Sequence, residues 1–164
     1  MTPRPAIVLV QPRIPQNVGA IGRLCAATRT GLHVVRPIPF ELNDRSLQRA
    51  GMDYLELLDW HVHTSWQECR EALGPRRLWY LTSQGKRSLY DVPLEASDVL
   101  VFGNESAGMP PEIREEYGEF DLRIPMVEPE ARCLNLATSA AVALYELLRK
   151  SGEFSASSSP ARER

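Results

Sequence analysis

Three short stretches, far apart in the chain, hold the residue types best able to do chemistry: NVGAIGR at 17–23, FGNESAGMP at 102–110 and CLNL at 133–136. In the second, Gly103 and Gly108 frame a G-x-x-x-x-G turn directly after an apolar run, the layout of a phosphate-cradling loop. Met109 and Pro110 follow where a nucleoside triphosphate site needs Lys and Ser or Thr, so that reading fails. The dinucleotide fingerprint fails too, because Gly19 and Gly22 supply only a fragment of G-x-G-x-x-G. What remains is a turn whose backbone can approach a ligand closely, with one carboxylate, Glu105, inside it. For the glycines taken alone, merely closing a tight turn is the better reading. Asn135 stands where a helix start wants a capping oxygen, and a helix start is also a natural place to hold a ligand.

Other chemistries find less support. Ser83, Ser88 and Ser106 lack the context of a nucleophile elbow. His61 and His63 alternate with no third ligand near in sequence, and His33 sits in an apolar run, so no metal site is expected. Cys25, Cys69 and Cys133 are odd in number, widely spaced and in no C-x-x-C pair, which argues against both a disulfide framework and a zinc site. A reducing, cytoplasmic setting is expected. The N-terminal apolar run, AIVLV, is far too short for a signal or a membrane span, so no membrane partner is expected. A net charge of −2 excludes a uniformly basic nucleic-acid binder, so any RNA contact must come from local patches or from a surface built by oligomerisation.

The elements that must position these residues follow from periodicity. Ala6 to Val10 reads as a strand buried on both faces. Asn17 is expected to cap a helix from Val18 to Thr28, with Gly31 as its left-handed stop. A strand is expected over Leu32 to Arg36, a short helix from Asn43 or Asp44 to Ala50, and a strand over Leu55 to Trp60. Ser65 and Glu68 have capping-box spacing before a helix reaching Leu73. Strands are expected at Leu78 to Thr82, Val99 to Phe102 and Leu122 to Ile124, with a helix from Pro110 to Tyr117 and the last helix from Asn135 to Lys150. The alternation predicts an α/β domain with a mostly parallel sheet and helices on both faces. Ligands in such sheets collect at the carboxyl ends of the strands, so the loops 11–17, 82–87, 103–109 and 126–134 should converge. At 164 residues the chain is about one domain, 1–150, and the polar tail 151–164 is expected to be disordered.

Taken together, Asn17, Gly19 and Arg23, the FGNESAGM loop, and Ile124-Pro125-Met126 followed by Cys133-Leu134-Asn135-Leu136 resemble the SpoU (TrmH-like) branch of the SPOUT methyltransferases, in the family's order. The similarity spans about residues 6–150. QPRIPQNVGAIGRLCAAT and RAGMDY extend it to the subgroup that methylates the wobble ribose of certain leucine tRNAs. The resemblance implies an α/β domain with a deep C-terminal trefoil knot, a homodimer, S-adenosylmethionine as methyl donor, no metal, and a tRNA ribose 2′-oxygen as acceptor. Alternatives are another tRNA or rRNA site, or a knotted RNA-binding protein without turnover.

By the same resemblance, the catalytic positions are Arg23, Glu105 and Asn135. The cofactor falls on Leu81, Thr82, Gly103, Ile124, Met126, Cys133 and Leu134. Arg13, Asn17, Arg29, Lys86, Arg87 and Arg132 are candidates to face RNA, because phosphate contacts set much of the affinity. Two residues depart from the family pattern: Cys133 stands where many relatives have serine, and Asn104 where wobble-modifying relatives often have proline.

Overall fold

A computed structural model describes residues 3–51 and 53–155. Seven strands form one sheet in the order β3-β2-β1-β6-β4-β7-β5, and all the strand pairings are parallel. In chain order these are β1 (Ala6–Val10), β2 (Gly31–Val35), β3 (Trp60–His63), β4 (Leu78–Leu81), β5 (Arg87–Ser88), β6 (Val99–Phe102) and β7 (Asp121–Arg123). The central strands β1, β4 and β6 are buried at every position, as parallel strands covered on both faces must be.

Helices cover both faces. On one, α1 (Pro15–Thr28) and α5 (Leu136–Lys150) pack side by side over a core that includes Leu9, Ile21, Leu100, Leu144 and Leu147. Each such leucine, fully buried, contributes on the order of 1.5–3 kcal/mol of transfer free energy, which fixes the two helices against the sheet. On the other face, α3 (Trp66–Leu73) and α4 (Pro111–Arg114) cover Val8, Tyr80 and Val101. A short α2 (Asp44–Arg49) and a 3-10 turn at Leu55–Leu57 lie in the connection between β2 and β3. Among the described residues, no helix is long and apolar enough to cross a membrane.

Several boundaries differ from those expected. Helix α1 begins at Pro15, so Asn17 lies inside it and is not its cap. Proline costs nothing at a first-turn position, where its missing N–H had no helical partner to lose. The left-handed residue ending α1 is Arg29 (φ 53°), while Gly31 already pairs with Ala6 in β2. Leu55 to Leu57 is a 3-10 turn, and the strand starts only at Trp60. Helix α4 stops at Arg114, short of Tyr117. The expected Ser65 cap is present, and the Glu68 carboxylate accepts from the backbone N–H and hydroxyl of Thr64. Ser151 to Ser155 form turns after α5, with the Phe154 ring against Tyr145. Residues 156–164, the rest of the expected disordered tail, lie outside the described residues.

Candidate active site

At the carboxyl ends of β4, β6 and β7 lies a cavity of about 910 Å³, within the size range of small-molecule sites. All four loops expected to converge contribute to it: Ile14 and Asn17 from the first, Thr82 to Gln84 and Lys86 from the second, Gly103 to Met109 from the third, and Met126, Cys133 and Leu134 from the last. Leu81, Thr82, Gly103, Ile124, Met126, Cys133 and Leu134, the residues expected to hold a cofactor, all line it.

The 103–109 loop keeps its shape through its own backbone. Asn104 and Gly108 exchange backbone hydrogen bonds of 3.1 and 3.2 Å, and the Asn104 side-chain oxygen accepts from Ser106 and Ala107. Gly103 packs so tightly on Gly108 and Met109 that a Cβ would overlap their backbone. Asn104 is therefore more than a departure from the family pattern, since its side chain closes the turn.

Glu105 points from this loop to the start of α1. Its carboxylate accepts from the backbone N–H of Arg13 (2.8 Å) and Ile14 (3.1 Å) and from the Asn17 amide (3.1 Å). The negative charge sits where the helix dipole is positive and where α1 has no side-chain cap of its own. The Asn17 oxygen in turn accepts from the Asn135 amide at 3.2 Å. Asn135 also caps α5, its side-chain oxygen accepting from Ala137 and Thr138. A chain of hydrogen bonds, Glu105–Asn17–Asn135, thus ties the three motif stretches together along one wall of the cavity.

Asn17 was expected to face RNA; instead it is 6% exposed and spent on this bridge. Arg23 lies six residues further along α1, roughly 9 Å along the axis and about two-thirds of a turn round, and does not line the cavity. Its guanidinium stands over the Tyr54 ring, 5.6 Å from the centroid. Of the other cations expected at the RNA face, Lys86 borders the cavity, and Arg13, Arg29 and Arg132 are exposed. Arg87 is engaged structurally, lying over the Trp79 ring at 5.7 Å.

Two residues of the site were not singled out from the sequence. Arg123 donates to the carbonyls of Gly85 and Lys86, pinning the 82–87 loop onto β7, where a Cβ at Gly85 would meet the backbone of Leu122 and Arg123. Asp121 lines the cavity at 6% exposure, and its Oδ1 has no hydrogen-bond partner. An aspartate opening an apolar strand, as in DLRIPM, was the available signal.

The histidines gather elsewhere, under α3 at the β3 edge. The His33 Nδ1 and His63 Nε2 are 2.9 Å apart, and with the Cys69 sulfur their ligand atoms lie within 4.8 Å of one another, a grouping that sequence spacing did not reveal. Burial, aided by the neighbouring His61, His63 and Arg76, lowers His33 to a pKa of about 4, and burial pushes the Cys69 thiol up to about 12. The two imidazoles already satisfy each other.

A parallel α/β sheet thus presents a cavity of small-molecule size across four converging loops. Residues 4–145 match the model of the SpoU rRNA methylase family, and the chain belongs to that family. It is 48% identical over 145 residues to a tRNA (cytidine(34)-2′-O)-methyltransferase of Methylovorus glucosotrophus, covering 88% of this chain and 94% of the relative. An enzyme of the same name from Saccharophagus degradans is 44% identical, with 89% and 95% covered. A solved structure described as giving insight into 2-OH methylation of C/U34 on tRNA superposes with a TM-score of 0.82 at 40% identity, covering 90% of this chain and 95% of that one. The SpoU methyltransferase AviRb from Streptomyces viridochromogenes in complex with AdoMet gives a TM-score of 0.75 at 27% identity, over 88% of this chain and 57% of that one.

Proposed function

We propose that this protein transfers a methyl group from S-adenosylmethionine to the ribose 2′-oxygen of the wobble nucleotide, cytidine or uridine 34, of tRNA, with leucine tRNAs as preferred substrates. The observation that carries the proposal is the convergence of three distant motif stretches on one cavity, held by Glu105, Asn17 and Asn135. The relatives named above give the position on the tRNA.

The residues present fit the cofactor. Leu81, Ile124 and Leu134 offer apolar walls to a purine, while the turns at Gly103 and Thr82 offer backbone groups to its edge and sugar. The unpartnered Asp121 oxygen gives an anionic counterpart to a positively charged ligand. When bound, the sulfonium supplies an already activated methyl carbon, so the protein's task is to place the ribose and favour loss of its proton. Glu105 and Asn17 make the wall rigid, and Asn135 presents its helix start to the cavity.

Arg23 stays protonated, as guanidinium groups do, and acts by gripping a phosphate or the developing 2′-oxyanion. Because it does not line the cavity of its own chain, a homodimer in which a second copy brings its Arg23 to the cavity mouth completes the site. The RNA surface then combines Arg13, Arg29, Lys86 and Arg132 of both copies, which reconciles RNA binding with a net charge of −2. Residues 1–150 act as a single cytoplasmic domain whose C-terminal segment forms a deep trefoil knot. The close seat of Gly85 on β7 and the family likeness support the knot.

The test is to incubate the purified protein with labelled cofactor and unmodified leucine tRNA and to map the methyl. Methylation at position 34 is expected; no methyl on any ribose across a total tRNA pool overturns the proposal.

A further inference from the structure

Gly19 has no room for a side chain, because a Cβ there would overlap the carbonyl of Ala50 at the end of α2. Ala50 is thereby seated directly on α1. The contact is locked by the Tyr54 hydroxyl, which donates to the Gly19 carbonyl at 2.8 Å. Burial pushes that phenol up from its ordinary value, so it remains a donor at neutral pH. Gly19 and Arg23 are one helical turn apart on the same face of α1, and the half-buried Tyr54 ring lies beneath both.

The Arg23 guanidinium makes no hydrogen bond or ion pair among the described residues. An exposed arginine held by nothing would sample many rotamers, and all that freedom would be lost on reaching the transition state. A carboxylate partner would fix the side chain but would occupy the donors. An aromatic face attracts the cation through its ring electrons and leaves every N–H free.

We propose that Tyr54 is the positioning residue for Arg23: its ring holds the guanidinium at the α1 surface with all donors open to an RNA oxyanion, and its hydroxyl anchors the ring to Gly19. This rests on the role given to Arg23 above. It also gives one physical reason for three features of the sequence, the glycine at 19, the arginine at 23 and the RAGMDY segment, which lie up to 35 residues apart.

Tyr54→Phe and Tyr54→Leu both remove the hydroxyl and differ in the ring, so their comparison isolates the ring face. Methyl transfer to unmodified leucine tRNA is measured for both, for wild type and for Arg23→Ala, alongside thermal melting and S-adenosylhomocysteine affinity. Tyr54→Phe is expected to keep kcat within about threefold of wild type. Tyr54→Leu is expected to lose roughly three- to thirtyfold more, with cofactor-product affinity unchanged in every variant. Equal kcat for folded Phe and Leu variants overturns the inference.

If Tyr54→Leu does not fold, phenylalanines of increasing fluorination at position 54 keep the ring's shape while draining its face of negative charge. Under the proposal kcat falls with each fluorine, and a flat series overturns it. A wild type that methylates no RNA, or an Arg23→Ala variant as active as wild type, overturns the underlying role of Arg23 without reference to Tyr54.

Discussion

Two clusters of polar side chains, one partly exposed and one buried, sit in different parts of the same sheet, and they end differently. Glu105, Asn17 and Asn135 join segments 88 and 118 residues apart and border a cavity. His33, His63 and Cys69 join neighbouring strands and a covering helix, and none of the three lines that cavity. The second cluster holds the residue types more often associated with catalysis, yet burial holds its histidines neutral and its thiol protonated at neutral pH. The first uses plain amides and one carboxylate. Residue type is thus a weaker guide to chemistry than whether the donors a cluster leaves over face an opening.

The largest test of that contrast is Glu105→Ala. It strips the acceptor from two backbone N–H groups at the start of α1 and from the Asn17 amide, all charge-assisted bonds. A stability loss of about 2–4 kcal/mol is expected, read from chemical denaturation at neutral pH. Methyl transfer should fall about a hundredfold or more, since a wall displaced by 1 Å misplaces the ribose. Glu105→Gln, which keeps the shape but not the charge, should lie between. A Glu105→Ala protein with near-normal stability and turnover would make this cluster no more functional than the histidine one.

The histidine cluster should reveal itself through pH and not through turnover. Above pH 6.5 His33 is neutral in both the folded and the unfolded chain. Between 6.5 and about 4 only the unfolded chain takes the proton, because burial and the neighbouring His61, His63 and Arg76 oppose it in the fold, with Asp59 the opposing influence. Stability therefore falls on acidification through that window, by at most about 3 kcal/mol from this residue, and falls no further below it. His63 is shifted in the same direction, again first by burial. Denaturation curves from pH 7.5 to 4.5 should show the slope, and His33→Gln should flatten it while methyl transfer at pH 7.5 stays within about threefold of wild type. A turnover collapse in His33→Gln with normal stability would contradict the division between the clusters.

The parallel sheet was legible because β1, β4 and β6 are continuous apolar runs, and α5 because Asn135 precedes a clear 3.6-residue pattern. The α1 start was misread for a physical reason: its cap is supplied by Glu105, about 90 residues away, and no local pattern carries such information. The same holds for Asn17, whose partners Glu105 and Asn135 lie 88 and 118 residues away. Convergence of the loops could be inferred from the general behaviour of parallel sheets, but the position of Arg23 outside the cavity could not. That depends on which end of α1 borders the cavity, which is set by the distant 103–109 and 133–136 segments packing at its start, roughly 9 Å along the axis from Arg23.

The smallest effect concerns Cys133, which lines the cavity beside Leu134 and Asn135 and is itself exposed. A thiol is a weak donor and a weak acceptor, so if the cofactor is held at this point the bond comes mainly from backbone. Cys133→Ser would add a hydroxyl of similar size able to make an ordinary hydrogen bond, worth about 0.5–1.5 kcal/mol net. Calorimetric titration with S-adenosylhomocysteine should then show roughly two- to tenfold tighter binding than wild type. Cys133→Ala should bind as wild type does, and kcat should be unchanged in both, because the gain is made equally before and at the transition state. If serine and alanine bind alike, the side chain at 133 does not reach the ligand, and the wall formed by Glu105, Asn17 and Asn135 sets the cofactor's place without it.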